Sequence, residues 1–203
     1  MLNTPNSTGL FVALEGLSGA GKTTLLAQIT ANLKKTFGPD KVVSTQEPWR
    51  RTSTVENELA GRELLNFVTQ DRAAHLRELI EPALSIGQHV ISSRYYMSTL
   101  VYQGYLDSLG LESCWTANEG FRVPDLTVFL YADEAIIERR LGLRSDPSRF
   151  EQKEYRARER YAYLEAVNFL SKRGQRILGL DSTTTAPEDL ATTVQTEILA
   201  LLR

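Results

Sequence analysis

The chain has 203 residues, a length that suits one ordinary α/β domain. Its 23 basic and 25 acidic residues leave a net charge of −2, which excludes a broadly basic nucleic-acid-binding protein. The single cysteine, Cys114, cannot form an internal disulfide, and no apolar stretch approaches the ~20 residues of a membrane helix. The polar N-terminus does not resemble a signal peptide. We therefore expect a soluble cytoplasmic protein that binds neither nucleic acid nor a membrane.

Short apolar runs alternate along the chain with longer amphipathic stretches, which predicts a mostly parallel sheet covered by helices. The apolar runs predict five strands, at residues 10–14, 41–45, 89–92, 126–130 and 176–180. Helical spacing of apolar residues, with Pro187 at a helix start, predicts helices at 22–35, 55–65, 71–84, 134–141, 152–172 and 190–202. No linker separates these elements, so we expect residues 1–203 to form a single domain.

A glycine-rich segment joins the first predicted strand to the first predicted helix. From Gly16 to Thr23 it matches the phosphate-binding P-loop pattern, G-x-x-x-x-G-K-[ST]. Glycines let the backbone aim successive N–H groups inward, and the N-terminus of the following helix favours anions. Lys22 can reach the β- and γ-phosphates of a nucleotide, and the Thr23 hydroxyl can bind Mg²⁺. We therefore predict that ATP binds through Gly16, Leu17, Ser18, Gly19, Ala20, Gly21, Lys22, Thr23 and Thr24.

Other parts of the sequence distinguish between the classes of P-loop protein. The sequence lacks the N-K-x-D motif that is usual in GTPases, and its third predicted strand ends in Ser92-Ser93-Arg94 rather than in the acidic residue typical of a hydrolytic ATPase. Residues 139–160 contain eight basic and four acidic residues, which fits either a solvated helix face or a segment that closes over phosphates. These features favour a three-layer P-loop kinase fold: a five-stranded parallel sheet with helices on both faces, and a lid at about residues 142–152.

The order of several short motifs resembles the thymidylate kinase (dTMP kinase) family over nearly the whole chain. The motifs are Glu15 before the P-loop, Glu47-Pro48, Asp71-Arg72-Ala73, Arg94-Tyr95, Tyr102-Gln103-Gly104, Pro124-Asp125-Leu126 and Arg149-Phe150-Glu151. The resemblance implies that the chain phosphorylates dTMP to dTDP with ATP and Mg²⁺, and that it forms a homodimer.

The resemblance also implies roles for individual side chains. Arg94 would hold the 5′-phosphate of the acceptor, Arg72 would hydrogen-bond its base, and Tyr102 would pack against its deoxyribose. The P-loop contains no arginine, so Arg144 and Arg149 of the lid would neutralise charge in the transition state, together with Lys22 and Arg94. The predicted acceptor site consists of Gln46, Glu47, Phe67, Val68, Arg72, Arg94, Tyr95, Ser98 and Tyr102.

Four positions depart from the family pattern. Ser93 replaces an aspartate that organises Mg²⁺ and water, and Ser18 replaces an acid inside the P-loop. Gln46 replaces an arginine that binds the acceptor phosphate. Val68 occupies the position of the aromatic residue that stacks on thymine, and Phe67 lies one residue away. Two alternatives therefore stay open: a kinase for another deoxypyrimidine nucleotide or nucleoside, and a weakly active nucleotide-binding regulatory protein.

Overall fold

The computed structural model of the chain describes residues 8–50, 58–142 and 153–203, without the side chains of 153–155. Its strands are β1 (Phe11–Gly16), β2 (Val42–Gln46), β3 (His89–Ser93), β4 (Leu126–Tyr131) and β5 (Ile177–Asp181). Its helices are α1 (Lys22–Phe37), α2 (Gly61–His75, continued by Leu76–Ile80 and Glu81–Ser85), α3 (Tyr96–Thr99, continued by Leu100–Leu106), α4 (Leu111–Thr116), α5 (Glu134–Leu141), α6 (Lys153–Ser171) and α7 (Pro187–Leu201). A short 3₁₀ turn at Pro39–Lys41 leads into β2.

The five strands are all parallel and form one sheet in the order β2-β3-β1-β4-β5. β1 therefore lies in the centre, where Leu14 is in register with Ser93 of β3 and Val128 of β4. A parallel sheet covered on both faces needs strands that are apolar on both sides, and every residue of β1 is buried. The predicted five-stranded parallel sheet with helices around it is confirmed.

The helices cover the sheet in packed groups. α1 contacts α7, whereas α3 packs against α4 and α6. In α1 the apolar residues Leu25, Ile29 and Leu33 recur at helical spacing and are all buried, as an amphipathic surface helix requires. Within the ranges that the structure describes, no helix is long and apolar enough to cross a membrane.

The helical region between β2 and β3 differs from the prediction. α2 continues without a break from Gly61 to Ser85 and includes a π-helical turn at Leu76–Ile80. The predicted interruption between residues 65 and 71 is wrong, because this segment contains neither proline nor glycine to end a helix. The Thr69 hydroxyl donates to the Leu65 carbonyl within the helix. Residues 55–57, which begin the first predicted helix, lie outside the described residues.

Helix α3 has no counterpart in the predicted elements. All residues from Tyr96 to Gly104 are buried, so the apolar residues are not confined to one face and show no helical period. The segment is also rich in aromatic and β-branched residues, which favour helices weakly. Its second half, Leu100–Leu106, is π-helical, a form that is frequent at functional sites.

The carboxyl ends of the strands lie together at one edge of the sheet because the strands are parallel. β1 ends at Gly16, and the paired residues Gln46 and Ser93 end β2 and β3. In open parallel sheets, ligands bind at this edge. The loops that follow β1, β2 and β3 therefore supply the candidate site.

Candidate active site

The P-loop occupies the turn between β1 and α1, and two of its glycines are required by its shape. Gly16 has a φ of +141°, and a Cβ atom there would lie 2.0 Å from the carbonyl oxygen of Leu130 on β4. Gly21 has a φ of +103° and stands immediately before the first residue of α1. Both positions are accessible to glycine and strained for other residues, which explains their spacing in the motif.

Lys22 is buried at the start of α1 and is directed back into the loop. Its Nζ donates to the carbonyl oxygens of Gly16 at 2.7 Å and Leu17 at 2.9 Å. Thr23 and Thr24 follow it on the exposed side of the first helical turn. The first-turn N–H groups of a helix lack partners within that helix and carry its positive partial charge. This end of α1 therefore favours a phosphate group.

A cavity of about 790 Å³ surrounds the P-loop and extends along the carboxyl edge of the sheet. Seven of the nine residues predicted to bind ATP line it, namely Ser18, Gly19, Ala20, Gly21, Lys22, Thr23 and Thr24. Gly16 and Leu17 lie behind this surface, where the N–H of Leu17 donates to the Leu130 carbonyl. The cavity is large enough for a nucleotide, since ligand pockets typically measure about 300–1,000 Å³.

The larger cavity also contains an arginine that the sequence analysis missed. Arg140 on α5 donates to the Ala20 carbonyl at 3.3 Å and to the Ser182 carbonyl at 3.0 Å. The Ser182 hydroxyl in turn donates to the Ala20 carbonyl at 2.7 Å. These contacts hold the P-loop against the residues that follow β5. Arg140 belongs to the basic segment at residues 139–160, but nothing in the sequence distinguishes it from the other basic residues there as the one that contacts the P-loop.

A smaller cavity of about 60 Å³ adjoins the first one, between α2 and α3. Seven of the nine predicted acceptor residues line it: Glu47, Val68, Arg72, Arg94, Tyr95, Ser98 and Tyr102. Gln46 instead lines the larger cavity, beside Ser93. Phe67 is half-buried against the core and lies outside the lining of both cavities. The predicted acceptor site missed four lining residues: Pro48 and Gln103, which belong to the quoted motifs, and Leu64 and Thr99.

Arg72 is enclosed by polar groups on the wall of the smaller cavity. The guanidinium, 2% exposed, donates from Nε to Glu47 at 2.8 Å, and its Nη2 atom forms an ion pair with the same carboxylate at 2.7 Å. It also donates to the Thr99 hydroxyl and to the Asn118 side-chain oxygen, and it lies 5.0 Å from the ring centre of Tyr95. A buried charge needs such partners to offset its lost hydration. Arg72 is therefore held in one place and presents the same edge to the cavity.

Arg94 lies where the two cavities meet and lines both of them. Its φ of +71° is unusual for a residue with a side chain. Its Nη1 atom donates to the hydroxyls of Tyr102 at 2.9 Å and Ser98 at 3.2 Å. Strained backbone is common at functional sites, and here it directs a guanidinium to the junction of the cavities.

Glu15 supports this turn from within the sheet. Its side chain is 0% exposed, and it accepts hydrogen bonds from the N–H groups of Tyr95 and Ser98 and from the Ser98 hydroxyl at 2.6 Å. Burial raises the pKa of Glu15, while the Ser98 contacts and the charge of Arg94 oppose this rise. The carboxylate fixes the start of α3 and, with it, the position of Arg94.

The two predicted lid arginines, Arg144 and Arg149, lie outside the described residues, as does most of the predicted lid at 142–152. Among the described residues, no group of three or more His, Cys, Asp or Glu side chains is arranged to hold a metal ion.

The sheet order, the P-loop beside its central strand and the two joined cavities define a P-loop protein of the nucleotide kinase class. Comparison with known proteins identifies the family. Residues 14–188 match the family model described as Thymidylate kinase. A thymidylate kinase from Caldanaerobacter subterraneus subsp. tengcongensis is 38% identical over 178 residues, which cover 81% of this chain and 85% of the relative.

A second relative, the thymidylate kinase from Deinococcus radiodurans, is 36% identical over 199 residues, which cover 90% of this chain and 92% of the relative. The crystal structure of thymidylate kinase from Ehrlichia chaffeensis has the same fold, with a TM-score of 0.71 at 24% identity, and the match covers 97% of this chain and 100% of that chain. The chain belongs to the thymidylate kinase family, as its motifs predicted.

Proposed function

We propose that this chain transfers the γ-phosphoryl group of ATP to the 5′-phosphate of dTMP, forming ADP and dTDP. The observation that carries the proposal is the position of Arg94 between a P-loop cavity and a second, enclosed cavity. A guanidinium at that point can bind the acceptor phosphate and direct it toward the terminal phosphate of the donor. Phosphoryl transfer depends mainly on such positioning and on charge compensation.

The larger cavity suits the donor nucleotide. A triphosphate would lie on the loop between Gly16 and Thr23, with its charge facing the N-terminus of α1. In this structure the Lys22 ammonium donates hydrogen bonds to the carbonyls of Gly16 and Leu17. When ATP binds, we expect it to exchange these neutral partners for phosphate oxygens, because hydrogen bonds to an ionised acceptor are roughly twice as strong as those between neutral groups.

The smaller cavity suits the acceptor. Arg72 can donate to the base, Val68 and Tyr95 offer apolar surface, and Tyr102 lies close enough to Arg94 to contact the sugar of a nucleotide whose phosphate Arg94 holds. At about 60 Å³ the cavity is well below the size of a typical ligand pocket. We therefore expect α2 and α3 to move apart slightly when dTMP enters.

The residues present are compatible with Mg²⁺. The side chain of Thr23 is exposed in the larger cavity, and Ser93 supplies a second hydroxyl to the same cavity. Mg²⁺ commonly takes only one or two protein ligands and completes its shell with phosphate oxygens and water. We propose Thr23 as its protein ligand. When bound, the ion would neutralise part of the phosphate charge.

The remaining positive charge comes from side chains. Lys22 and Arg94 supply two cations near the reacting phosphates, and we propose that Arg144 or Arg149 adds a third. This last assignment is based on their place in the motif Arg149-Phe150-Glu151 and in the basic segment. Charge that is already in place when the transition state forms is a large part of phosphoryl-transfer catalysis.

The proposed quaternary structure rests on the family resemblance, and the proposed location rests on the composition of the chain. We infer a homodimer located in the cytoplasm, with residues 1–203 as a single kinase domain. The one cysteine supports a reducing compartment: Cys114 is unpaired and buried, and burial raises the pKa of its thiol to about 11. Sedimentation analysis of the purified chain tests the dimer, and a monomer at micromolar concentration would contradict it.

A coupled assay of ADP formation across a panel of nucleotides tests the proposed reaction. With Mg²⁺ and ATP, kcat/KM for dTMP should exceed that for dUMP by about tenfold or more, because one methyl group in a closed pocket is worth roughly 1–3 kcal/mol. dCMP and dGMP should react more slowly still. A similar kcat/KM for dTMP and dUMP would favour a different acceptor, and background rates with tight ATP binding would favour a regulatory protein.

A further inference from the structure

A buried carboxylate lies behind both cavities without lining either. Glu159 on α6 is 2% exposed. It accepts hydrogen bonds from the Ser18 backbone N–H, at 3.2 Å, from the Ser18 hydroxyl, at 3.0 Å, and from the Tyr102 hydroxyl, at 2.7 Å. Ser18 lines the larger cavity and Tyr102 lines the smaller one. One side chain therefore contacts the walls of both candidate substrate sites.

The hydrogen bonds explain how a carboxylate can be buried here. An ionised carboxylate removed from water is costly unless donors replace its hydration. Glu159 receives three such bonds, and bonds to a charged acceptor are shorter and stronger than those between neutral groups. An apolar residue could fill the same volume, but it would leave the hydroxyls of Ser18 and Tyr102 without this acceptor.

The carboxylate also determines how the Tyr102 hydroxyl is oriented. An ionised carboxylate can only accept hydrogen bonds, so the Tyr102 proton is directed toward Glu159. The lone pairs of the hydroxyl are then available to the Nη1 atom of Arg94, 2.9 Å away. The ring of Tyr102 lies 5.2 Å from the same guanidinium. Glu159 and Arg94 are thus linked by one hydroxyl group, which donates to the carboxylate and accepts from the guanidinium.

We propose that Glu159 is a positioning residue for phosphoryl transfer, which holds Arg94 through the Tyr102 hydroxyl and holds the P-loop through Ser18. The inference rests on the proposed function, because it assumes that Arg94 orients the acceptor and that the P-loop binds the donor. Glu159 touches neither substrate. Its effect is on the geometry of the two groups that do, and a displacement of about 1 Å in such groups can cost about a hundredfold in rate.

The test uses Glu159→Gln in the full-length chain, with Glu165→Gln as the control on the same helix. Glu165 lies near the exposed Tyr161 and lines neither cavity. Glutamine keeps the shape and one acceptor oxygen but removes the charge. Glu159→Gln should lower kcat/KM for dTMP by about tenfold or more and raise the KM for ATP by about threefold, since both anchors weaken. Glu165→Gln should leave both constants unchanged.

A double-mutant cycle separates positioning from a general loss of stability. In a Tyr102→Phe background the route to Arg94 is already broken. Glu159→Gln should then change kcat/KM for dTMP by less than about twofold, while it still raises the KM for ATP. The proposal would be overturned if Glu159→Gln lowered kcat/KM for dTMP by the same factor in both backgrounds. It would also be overturned if Glu159→Gln had the same kcat/KM and KM values as the Glu165→Gln control.

If Glu159→Gln does not fold, a second cycle tests the same route. Tyr102→Phe should lower kcat/KM for dTMP in the parent chain and change it by less than about twofold in an Arg94→Lys background. Full effects in both backgrounds would overturn the proposal. If the parent chain does not turn over dTMP, the proposed function and this inference both fail. If the parent turns over dTMP and the variants have the same kcat/KM as the parent, only the inference fails.

Discussion

Arg94 combines a strained backbone with a guanidinium held by hydroxyl groups. Its φ of +71° is supported by Glu15, which accepts hydrogen bonds from the N–H groups of Tyr95, the next residue, and of Ser98, four residues after Arg94. A left-handed conformation costs a residue with a side chain roughly 1–2 kcal/mol. The structure bears that cost at a residue that lines both cavities, which supports a direct role in binding phosphate.

Arg94→Lys tests this role at the residue scale. Lysine keeps the charge but loses the planar fork that binds phosphate through two hydrogen bonds. We expect kcat/KM for dTMP to fall by about a hundredfold, while the KM for ATP changes by less than about threefold. Steady-state kinetics with each substrate varied in turn gives both constants. Arg77→Lys, at an exposed arginine paired with Glu78, is the control. An equal loss in both variants would count against the assignment.

Ser93→Asp addresses the residue that departs from the family at the metal side of the site. Ser93 lines the same cavity as Thr23, and a carboxylate there would attract Mg²⁺ and order its water ligands more strongly than a hydroxyl. We expect the Mg²⁺ concentration for half-maximal activity to fall by a few-fold, about 3–10 times. A magnesium titration at saturating ATP and dTMP measures it. An unchanged or higher requirement would show that Ser93 does not face the ion.

At the scale of elements, β1 and the P-loop form a unit whose shape depends on close backbone packing. Gly16 lies against the Leu130 carbonyl of β4, and the Arg94 N–H donates to the Leu14 carbonyl of β1. The loop after β1 and the turn after β3 are therefore attached to the same central strand. A distortion of β1 would disturb the donor and acceptor sites together.

Gly16→Ala is expected to be strongly destabilising, whereas Gly38→Ala is not. The new Cβ at position 16 would lie 2.0 Å from a carbonyl oxygen, whereas nothing lies within 4 Å of one at Gly38, which has a φ of +105°. Gly38→Ala should lower the free energy of unfolding by about 1–3 kcal/mol from backbone strain. Gly16→Ala should have the same strain and lose about 1–3 kcal/mol more of the free energy of unfolding, because its Cβ is overpacked. Urea unfolding measures both, and equal losses would contradict the packing argument.

Sequence patterns predict these elements unevenly, for physical reasons. Buried parallel strands such as β1 and β4 leave uninterrupted apolar runs, and the P-loop leaves its glycines, so both are visible in the sequence. α3 is buried on all sides and leaves no period. Glu159, Asn118 and Arg140 act through contacts with residues distant in sequence, and no local pattern predicts such contacts. Val68 lies in the smaller cavity while its neighbour Phe67 does not, because one step along a helix is about 100°.

At the scale of the whole molecule, a histidine of β3 contacts both the residue that precedes β1 and helix α1. The Nδ1 atom of His89, the first residue of β3, accepts the N–H of Leu10 at 3.1 Å, and its ring lies 4.5 Å from that of Phe37 on α1. Burial lowers the pKa of His89, and the nearby charge of Lys41 lowers it further. The neutral ring therefore connects β3 to α1 and to Leu10, the residue before β1, and protonation of Nδ1 would break the bond to Leu10.

This arrangement predicts that stability falls in mild acid. Because the folded pKa of His89 lies below its unfolded value of 6.5, the unfolded state binds more protons. The stabilisation is complete above pH 6.5 and is lost as the pH falls through that value toward the folded pKa. Urea unfolding at about pH 7.5 and about pH 5.5 measures how much the free energy of unfolding falls between the two values. This fall should be smaller in His89→Asn than in the parent chain, because asparagine keeps an acceptor but has no titratable ring. Equal differences in the two proteins would contradict the prediction.

The central claim is that donor and acceptor phosphates meet beside Arg94, and calorimetry with a single ligand tests it most directly. The ligand joins adenosine and thymidine through five phosphates, so that it can occupy both cavities at once. We expect one molecule to bind per chain, about a hundredfold more tightly than ATP or dTMP alone. Lys22→Met and Arg94→Lys should each remove most of this gain. Binding no tighter than that of ATP, and unaffected by Arg94→Lys, would contradict the account.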